Sequence, residues 1–112
     1  MSIEVTGRHV DVSDSMRHYA EKRLDKLVAE FPRVDKVHAI LDIQKFTHMA
    51  EVIAHAARHI QIEGKATSEN MYASIDEAVD KVESQLRKTI EKRHEHKGNA
   101  KLRDLESTPE EG

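Results

Sequence analysis

Cationic side chains recur at helical spacing in the second half of the chain, and their type and spacing suit the binding of phosphate groups. On a helical projection of residues 70–97, Lys81, Lys88 and Lys92 fall within about 40° of one another, beside an apolar stripe. The opposite flank is mainly acidic and carries Asp76, Asp80, Glu83 and Glu91. Arg87 interrupts that acidic flank. Segregated charges of this kind give one basic flank, which can neutralise the backbone of a nucleic acid.

An earlier segment, residues 14–31, repeats the arrangement. Its basic flank carries Lys22, Arg23 and Lys26. Its other side carries Asp14, Glu21 and Asp25. Glu30 interrupts the basic flank. Two basic flanks on neighbouring helices would form a phosphate-binding surface.

The same charges also fit an ordinary solvated helix face, and periodicity alone does not separate the two interpretations. The net charge of −3 means that nucleic-acid binding would depend on where the cations lie and not on their total. Ion pairs between turns, such as Glu77 with Lys81, stabilise a helix by only about a few tenths of a kcal/mol. Phosphate groups would displace pairs as weak as these.

Other chemistry has little support in the sequence. The absence of cysteine excludes disulfides, thiol nucleophiles and thiolate zinc sites. His55 and His59 could approach each other across a hairpin, but no HExxH or similar spacing of metal ligands occurs. His94 and His96 would face apart on a helix. With no nucleophile elbow and no Gly-rich phosphate loop, we expect neither enzymatic activity nor a cofactor or resident metal.

The two tyrosines are the aromatic side chains that could stack on bases. Tyr19 falls on the apolar stripe of its predicted helix, which indicates a place in the core, so Tyr72 is the candidate for stacking. No stretch approaches the roughly 20 apolar residues of a membrane span, and the start of the chain lacks the pattern of a secretory leader. We therefore expect a cytoplasmic protein.

Hydrophobic periodicity predicts the elements that must position the two basic flanks. Alternation of apolar and polar residues predicts strands at residues 2–6, 37–43, 50–56 and 60–63. Helical spacing predicts helices at residues 14–31 and 70–97. Ser13 would cap the first helix and Pro32 would end it. The order β-α-β-β-β-α indicates an α+β two-layer sandwich, in which a four-stranded sheet carries both helices on one face. We expect this domain to occupy residues 1–97, followed by a flexible, mildly acidic tail at residues 98–112.

Several runs of sequence match one known family. They are Val5-Thr6-Gly7-Arg8, Met16-Arg17-His18-Tyr19, Lys26-Leu27, His48-Met49-Ala50-Glu51-Val52, Asn70-Met71-Tyr72-Ala73-Ser74-Ile75-Asp76, Asp80-Lys81-Val82 and Gln85-Leu86. On these runs the chain resembles the ribosome hibernation promoting factors, also called the ribosome-associated inhibitor A or sigma-54 modulation protein family. The run that begins at Asn70 is the most specific, although relatives usually have aspartate there and often have arginine at Ser84. The resemblance covers nearly the whole predicted domain.

The resemblance implies a fold similar to double-stranded RNA-binding domains and a place in the decoding channel of the small ribosomal subunit. Relatives use basic residues of both helices on ribosomal RNA, and so block the messenger RNA and transfer RNA sites and inhibit translation under stress or in stationary phase. By position, the RNA-binding residues would be Arg17, Lys22, Arg23, Lys26, Lys81, Arg87, Lys88 and Lys92.

Longer relatives carry a C-terminal domain that pairs two ribosomes, and this sequence stops at Gly112 without one. The resemblance therefore implies a short form that is a monomer when free, and that either assists a separate ribosome-dimerising factor or opposes dimerisation. A different class of function is also open. Ile40 and Ile53, among polar neighbours on an exposed sheet face, could bind another protein without any contact to RNA.

Overall fold

The chain folds in the order that its periodicity predicts. The computed structural model describes residues 2–57 and 59–95, with side chains as far as residue 89. Its elements are β1 (Ser2–Arg8), α1 (Asp14–Glu30), β2 (Val34–Gln44), β3 (Thr47–Ala56), β4 (Ile60–Ser68) and α2 (Met71–Glu95). The predicted helix end at Lys97 and the predicted tail at residues 98–112 lie outside the described residues, so both stay predictions.

The four strands form one mixed sheet in the order β1-β2-β3-β4. β1 runs parallel to β2, whereas β2, β3 and β4 are antiparallel to their neighbours. The parallel pair needs a crossover, and α1 supplies it. Both helices pack on the same face of the sheet: α1 covers β1 and β2, and α2 covers β3 and β4. The predicted α+β two-layer sandwich is confirmed.

The core lies between this sheet face and the two helices. From the sheet it receives alternate side chains, including Val37, Ala39, Leu41, Ala50, Val52 and Ala54. From the helices it receives Leu24, Leu27, Met71, Ile75, Val79, Val82 and Leu86. All of these are at most 2% exposed, so the orientation of each helix about its own axis is fixed by a continuous apolar stripe.

Capping residues fix where both helices begin. The Oγ of Ser13 accepts a hydrogen bond from the Met16 amide at 3.1 Å, so the predicted cap is confirmed. Asn70 does the same for α2, since its Oδ1 accepts from the Tyr72 amide at 2.8 Å. Within the described residues, no helix is long and apolar enough to cross a membrane.

β4 is longer than predicted, because the alternation continues through residues too small or too polar to signal a strand. Gly64 and Ala66 point inward and Lys65 points outward. The small inward residues let α2 approach closely: a Cβ built on Gly64 would lie 2.6 Å from the carbonyl oxygen of Ala78. This close approach sets the position of α2 on the sheet.

Candidate phosphate-binding surface on the helices

The two helices lie side by side and are joined by polar contacts at a constant offset of 57 residues. The Tyr19 hydroxyl donates a hydrogen bond to the Asp76 carboxylate, 2.8 Å from both oxygens. One turn further along, the Nη2 of Arg23 lies 3.1 Å from Oδ1 of Asp80. A constant offset means that the sequence numbers rise together, so α1 and α2 run parallel.

Arg23 is the central cation of this junction. Its Nε also lies 3.1 Å from Oδ1 of Asp76, and its side chain is only 21% exposed. A guanidinium held by two carboxylates in a half-buried position is largely neutralised. Arg23 therefore ties the helices together and contributes little free positive charge to the surface.

The acidic flank of α2 is consequently the flank that faces α1. The helical projection places Asp76 and Asp80 opposite the basic flank of their own helix, which is correct, but it does not show that they meet Arg23. These carboxylates lie between the basic flanks of the two helices, so the flanks do not meet directly. The junction is a line of ion pairs, with basic residues to either side.

Arg87 completes the junction near the end of α1. Its Nη2 lies 3.1 Å from Oε2 of Glu30, and its guanidinium carbon lies 5.7 Å from the centroid of the Phe31 ring. The Arg87 and Glu30 side chains are 49% and 44% exposed. An ion pair this exposed contributes little to stability, so Arg87 can exchange Glu30 for a phosphate at little cost.

Arg17 and Lys81 lie at the two outer margins of the helix layer. The Nη1 of Arg17 donates a hydrogen bond to the Val5 carbonyl at 3.1 Å, which places this side chain beside β1. The Nζ of Lys81 donates to the Lys65 carbonyl at 2.8 Å and lies 4.0 Å from Oε2 of Glu77, which places it over β4. Both side chains support the sheet edges, and both retain exposed surface.

Three lysines point directly away from the core, and we call them the outer lysines. They are Lys22, Lys26 and Lys88. Each is two residues from a fully buried leucine, Leu24 or Leu86, which is about 200° around a helix. All three side chains are exposed, and none forms an ion pair with another described residue. The side chain of Lys92, the eighth predicted residue, lies outside the described part of the chain.

Tyr19 is half-buried against the core, as its position on the apolar stripe predicts. Its ring meets the ring of Tyr72 edge to face, with centroids 5.1 Å apart. Tyr72 is 36% exposed, so part of its ring is accessible for stacking. The two tyrosines link the N-terminal turns of α1 and α2.

The hydrogen bond to Asp76, together with burial and the charge of that carboxylate, raises the pKa of Tyr19 above its ordinary value of 10.0, and Arg23 opposes this shift. Because the fold favours the neutral phenol, the contact stabilises the protein fully below pH 10.0, and the contribution is lost as the pH rises through the raised pKa. We expect Tyr19→Phe to lower the free energy of unfolding by about 1–2 kcal/mol at neutral pH. The deficit should shrink in strongly alkaline solution.

Urea unfolding of the wild type and Tyr19→Phe across this pH range measures the difference. Tyr72→Phe is the matched control, since it keeps the edge-to-face contact and removes a hydroxyl that has no hydrogen bond to a described residue. A deficit for Tyr19→Phe that stays constant from neutral to alkaline pH would contradict the proposed role of its hydroxyl.

The sheet face away from the helices is polar, with two half-buried isoleucines. Ile40 lies opposite Glu51 and Ile53 lies opposite His38 in the register of β2 and β3. The apolar surface here is interrupted by charged and polar neighbours. No group of three or more His, Asp or Glu side chains in the described part of the chain could hold a metal ion.

One exposed residue is missed by periodicity altogether. Phe46, in the turn between β2 and β3, is 85% exposed. A single aromatic residue in a two-residue turn belongs to no helical or alternating pattern, so the sequence gives no signal except its unusual residue type for such a turn.

Comparison with known proteins places this architecture in a family. The family model described as sigma 54 modulation protein / S30EA ribosomal protein matches residues 3–94. The ribosome hibernation promoting factor of Escherichia coli strain K12 is 30% identical over 96 residues, which cover 86% of this chain and 100% of the relative. The protein of the same name from Azotobacter vinelandii is 33% identical over 95 residues, which cover 85% of this chain and 88% of the relative.

Solved structures agree with the sequence relatives. A ribosomal subunit interface protein from Coxiella burnetii superposes with a TM-score of 0.73 at 29% identity, covering 80% of this chain and 97% of that chain. The N-terminal domain of Protein Y from Thermus thermophilus gives a TM-score of 0.71 at 25% identity, covering 80% and 99%. The chain therefore belongs to the sigma 54 modulation protein / S30EA ribosomal protein family.

Proposed function

We propose that this protein is a ribosome hibernation factor that binds the decoding channel of the small ribosomal subunit through ribosomal RNA and blocks the messenger RNA and transfer RNA sites. The family consists of ribosome hibernation factors, which are binding proteins and not enzymes. The observation that supports the proposal most is the set of outer lysines on the face of both helices that points away from the core.

The surface combines cations that are free to bind with cations that can change partner. Lys22, Lys26 and Lys88 have no ion pair to lose among the described residues. Arg87 has an exposed partner in Glu30 that a phosphate can replace. Arg23, in contrast, is proposed to act by holding the two helices at the correct spacing, because Asp76 and Asp80 already neutralise it.

Sedimentation of the purified protein with isolated small and large ribosomal subunits tests the proposal. We expect the protein to pellet with small subunits, and to be released by excess messenger RNA with initiator transfer RNA. We further propose that the free protein is a monomer in the cytoplasm, and that a separate dimerising factor pairs ribosomes. Co-sedimentation with the large subunit alone would contradict the proposal.

Salt dependence separates this proposal from a protein-binding module on the sheet face. If the outer lysines neutralise about three phosphates, the logarithm of the association constant should fall by roughly 2–3 for each tenfold rise in monovalent salt, at constant magnesium. An apolar contact through Ile40 and Ile53 would be nearly insensitive to salt. A flat titration would therefore favour the sheet face over the helices.

A further inference from the structure

The turn between β2 and β3 presents a cation and an aromatic ring to solvent. Gln44 and Thr47 are paired, so Lys45 and Phe46 form a two-residue loop at the tip of the hairpin. We call Lys45 and Phe46 the hairpin tip. Only two large apolar side chains in the described part of the chain are exposed, Phe46 at 85% and Tyr72 at 36%. The ring of Phe46 is therefore almost unburied and makes little contact with the core of its own domain.

Lys45 is an unfavourable residue for its position in this turn, and Phe46 gains almost no burial there. Two-residue hairpin loops favour asparagine, aspartate or glycine, because the backbone must enter the left-handed region. Lys45 adopts this conformation with φ 57°, which is strained for a residue with a long side chain. Backbone strain at Lys45 next to an exposed apolar ring at Phe46 is a combination typical of a functional site.

The segment that carries the hairpin tip has no exposed carboxylate between residues 42 and 48. Residues 43–48 contain no carboxylate. The nearest one along the chain, Asp42, is 6% exposed and lies 3.4 Å from Nε of Arg8 and 3.1 Å from Nδ1 of His9. Its charge is directed into this cluster, so no carboxylate within residues 42–48 competes for the ammonium group of Lys45.

The hairpin tip lies at the end of the domain where α2 begins. The Oγ of Ser74, in the first turns of α2, donates a hydrogen bond to the His48 carbonyl at 2.7 Å, two residues beyond Phe46. The hairpin tip therefore lies close to the N-terminal turns of α2.

We propose that the hairpin tip is a second RNA contact, in which Phe46 stacks on an unpaired nucleobase of ribosomal RNA and Lys45 binds an adjacent phosphate. The inference rests on the proposed function and adds to it a site that reads exposed bases. A nucleotide satisfies both side chains at once, because its base offers a π-face and its phosphate a negative charge. An apolar cavity in a protein would accept the ring but would offer no negative charge to the neighbouring ammonium group.

The chain contains no tryptophan, so a single introduced tryptophan can report on this contact. We expect the fluorescence of Phe46→Trp to be quenched when small subunits are added, since stacking on a base quenches indole emission. Lys36→Trp, on the sheet face away from the helices, is the matched control and should not be quenched. A blue shift without quenching would indicate an apolar protein cavity, and unchanged emission would indicate no contact; either result overturns the inference.

Binding by the corresponding variants completes the test. We expect Phe46→Ala to weaken binding to small subunits about tenfold or more and Phe46→Trp to retain it. Lys45→Asn should weaken binding while raising the melting temperature, because asparagine suits the left-handed turn. If the wild type binds but Phe46→Ala binds equally well, only the hairpin contact is wrong. If the wild type does not bind small subunits, the proposed function fails and this inference falls with it.

Discussion

Replacing the three outer lysines by glutamine is expected to weaken binding to small ribosomal subunits by at least about 100-fold, since each charge-assisted contact to a phosphate contributes roughly 1–1.5 kcal/mol. Glutamine keeps the length and helix propensity of lysine, so the helices should stay intact. The variant Lys22→Gln, Lys26→Gln, Lys88→Gln removes three exposed cations that lie opposite the core. Sedimentation or a fluorescence titration with labelled protein measures the affinity.

A matched variant removes three exposed cations elsewhere. Arg33 precedes β2, while Lys36 and Lys65 lie on the sheet face away from the helices. Their replacement by glutamine changes the net charge by the same amount. At physiological ionic strength, charges more than roughly 8 Å from a phosphate are largely screened, so this control should bind within about threefold of the wild type. Equal losses in both variants, or in neither, would rule out a specific role for the helices.

Gly64→Ala is expected to lower the stability of the domain markedly, although it adds only one methyl group. The added Cβ would lie 2.6 Å from the Ala78 carbonyl oxygen and 2.9 Å from Cγ2 of Val82. The carbonyl belongs to the backbone of α2 and cannot rotate away, so the helix must shift from the sheet. Overpacking of this kind costs roughly 1–3 kcal/mol. Binding should weaken as well, because α2 carries Lys88.

Thermal and urea unfolding measure the effect. A loss of 1 kcal/mol lowers the melting temperature of a domain of this size by roughly 4–8 °C. Lys65→Thr changes the next residue of β4 on the opposite face of the sheet, and should shift the free energy of unfolding by less than about 0.5 kcal/mol. If Gly64→Ala were as stable as the wild type, the close approach of α2 to β4 would be wrong.

The sequence predicts the fold well in segments where the apolar residues follow a single pattern, either strand alternation or helical spacing. The alternation around Ala39 and Val52 leaves one face apolar, so the central strands and their inward faces are predictable. Ser13 identifies the start of α1 because its side chain can cap a helix. The predicted β4 is too short because Gly64 has no side chain to mark the inward face. Only the tertiary structure shows that α2 lies too close to this position for a larger residue.

The sequence could not predict how the candidate residues of the two helices are arranged relative to one another. A helical projection gives each charge an angle about its own axis, and it correctly separates Lys88 from Asp80. It contains no information about which flank meets the neighbouring helix, so the pairing of Asp80 with Arg23 could not be predicted from either helix alone. The complementary charges of the two segments were the available signal. Phe46 lies outside every helical or alternating pattern, and its exposure in the structure is what draws attention to it.

Chemical acetylation of the wild-type protein, free and bound to small ribosomal subunits, tests directly which face binds RNA. Mass spectrometry compares the reactivity of every lysine in one experiment, so no variant has to fold. We expect Lys22, Lys26 and Lys88 to become protected in the complex while Lys36 and Lys65 stay as reactive as in the free protein. Protection of Lys36 and Lys65, with the outer lysines still reactive, would contradict binding through the helices and assign the interaction to the sheet face.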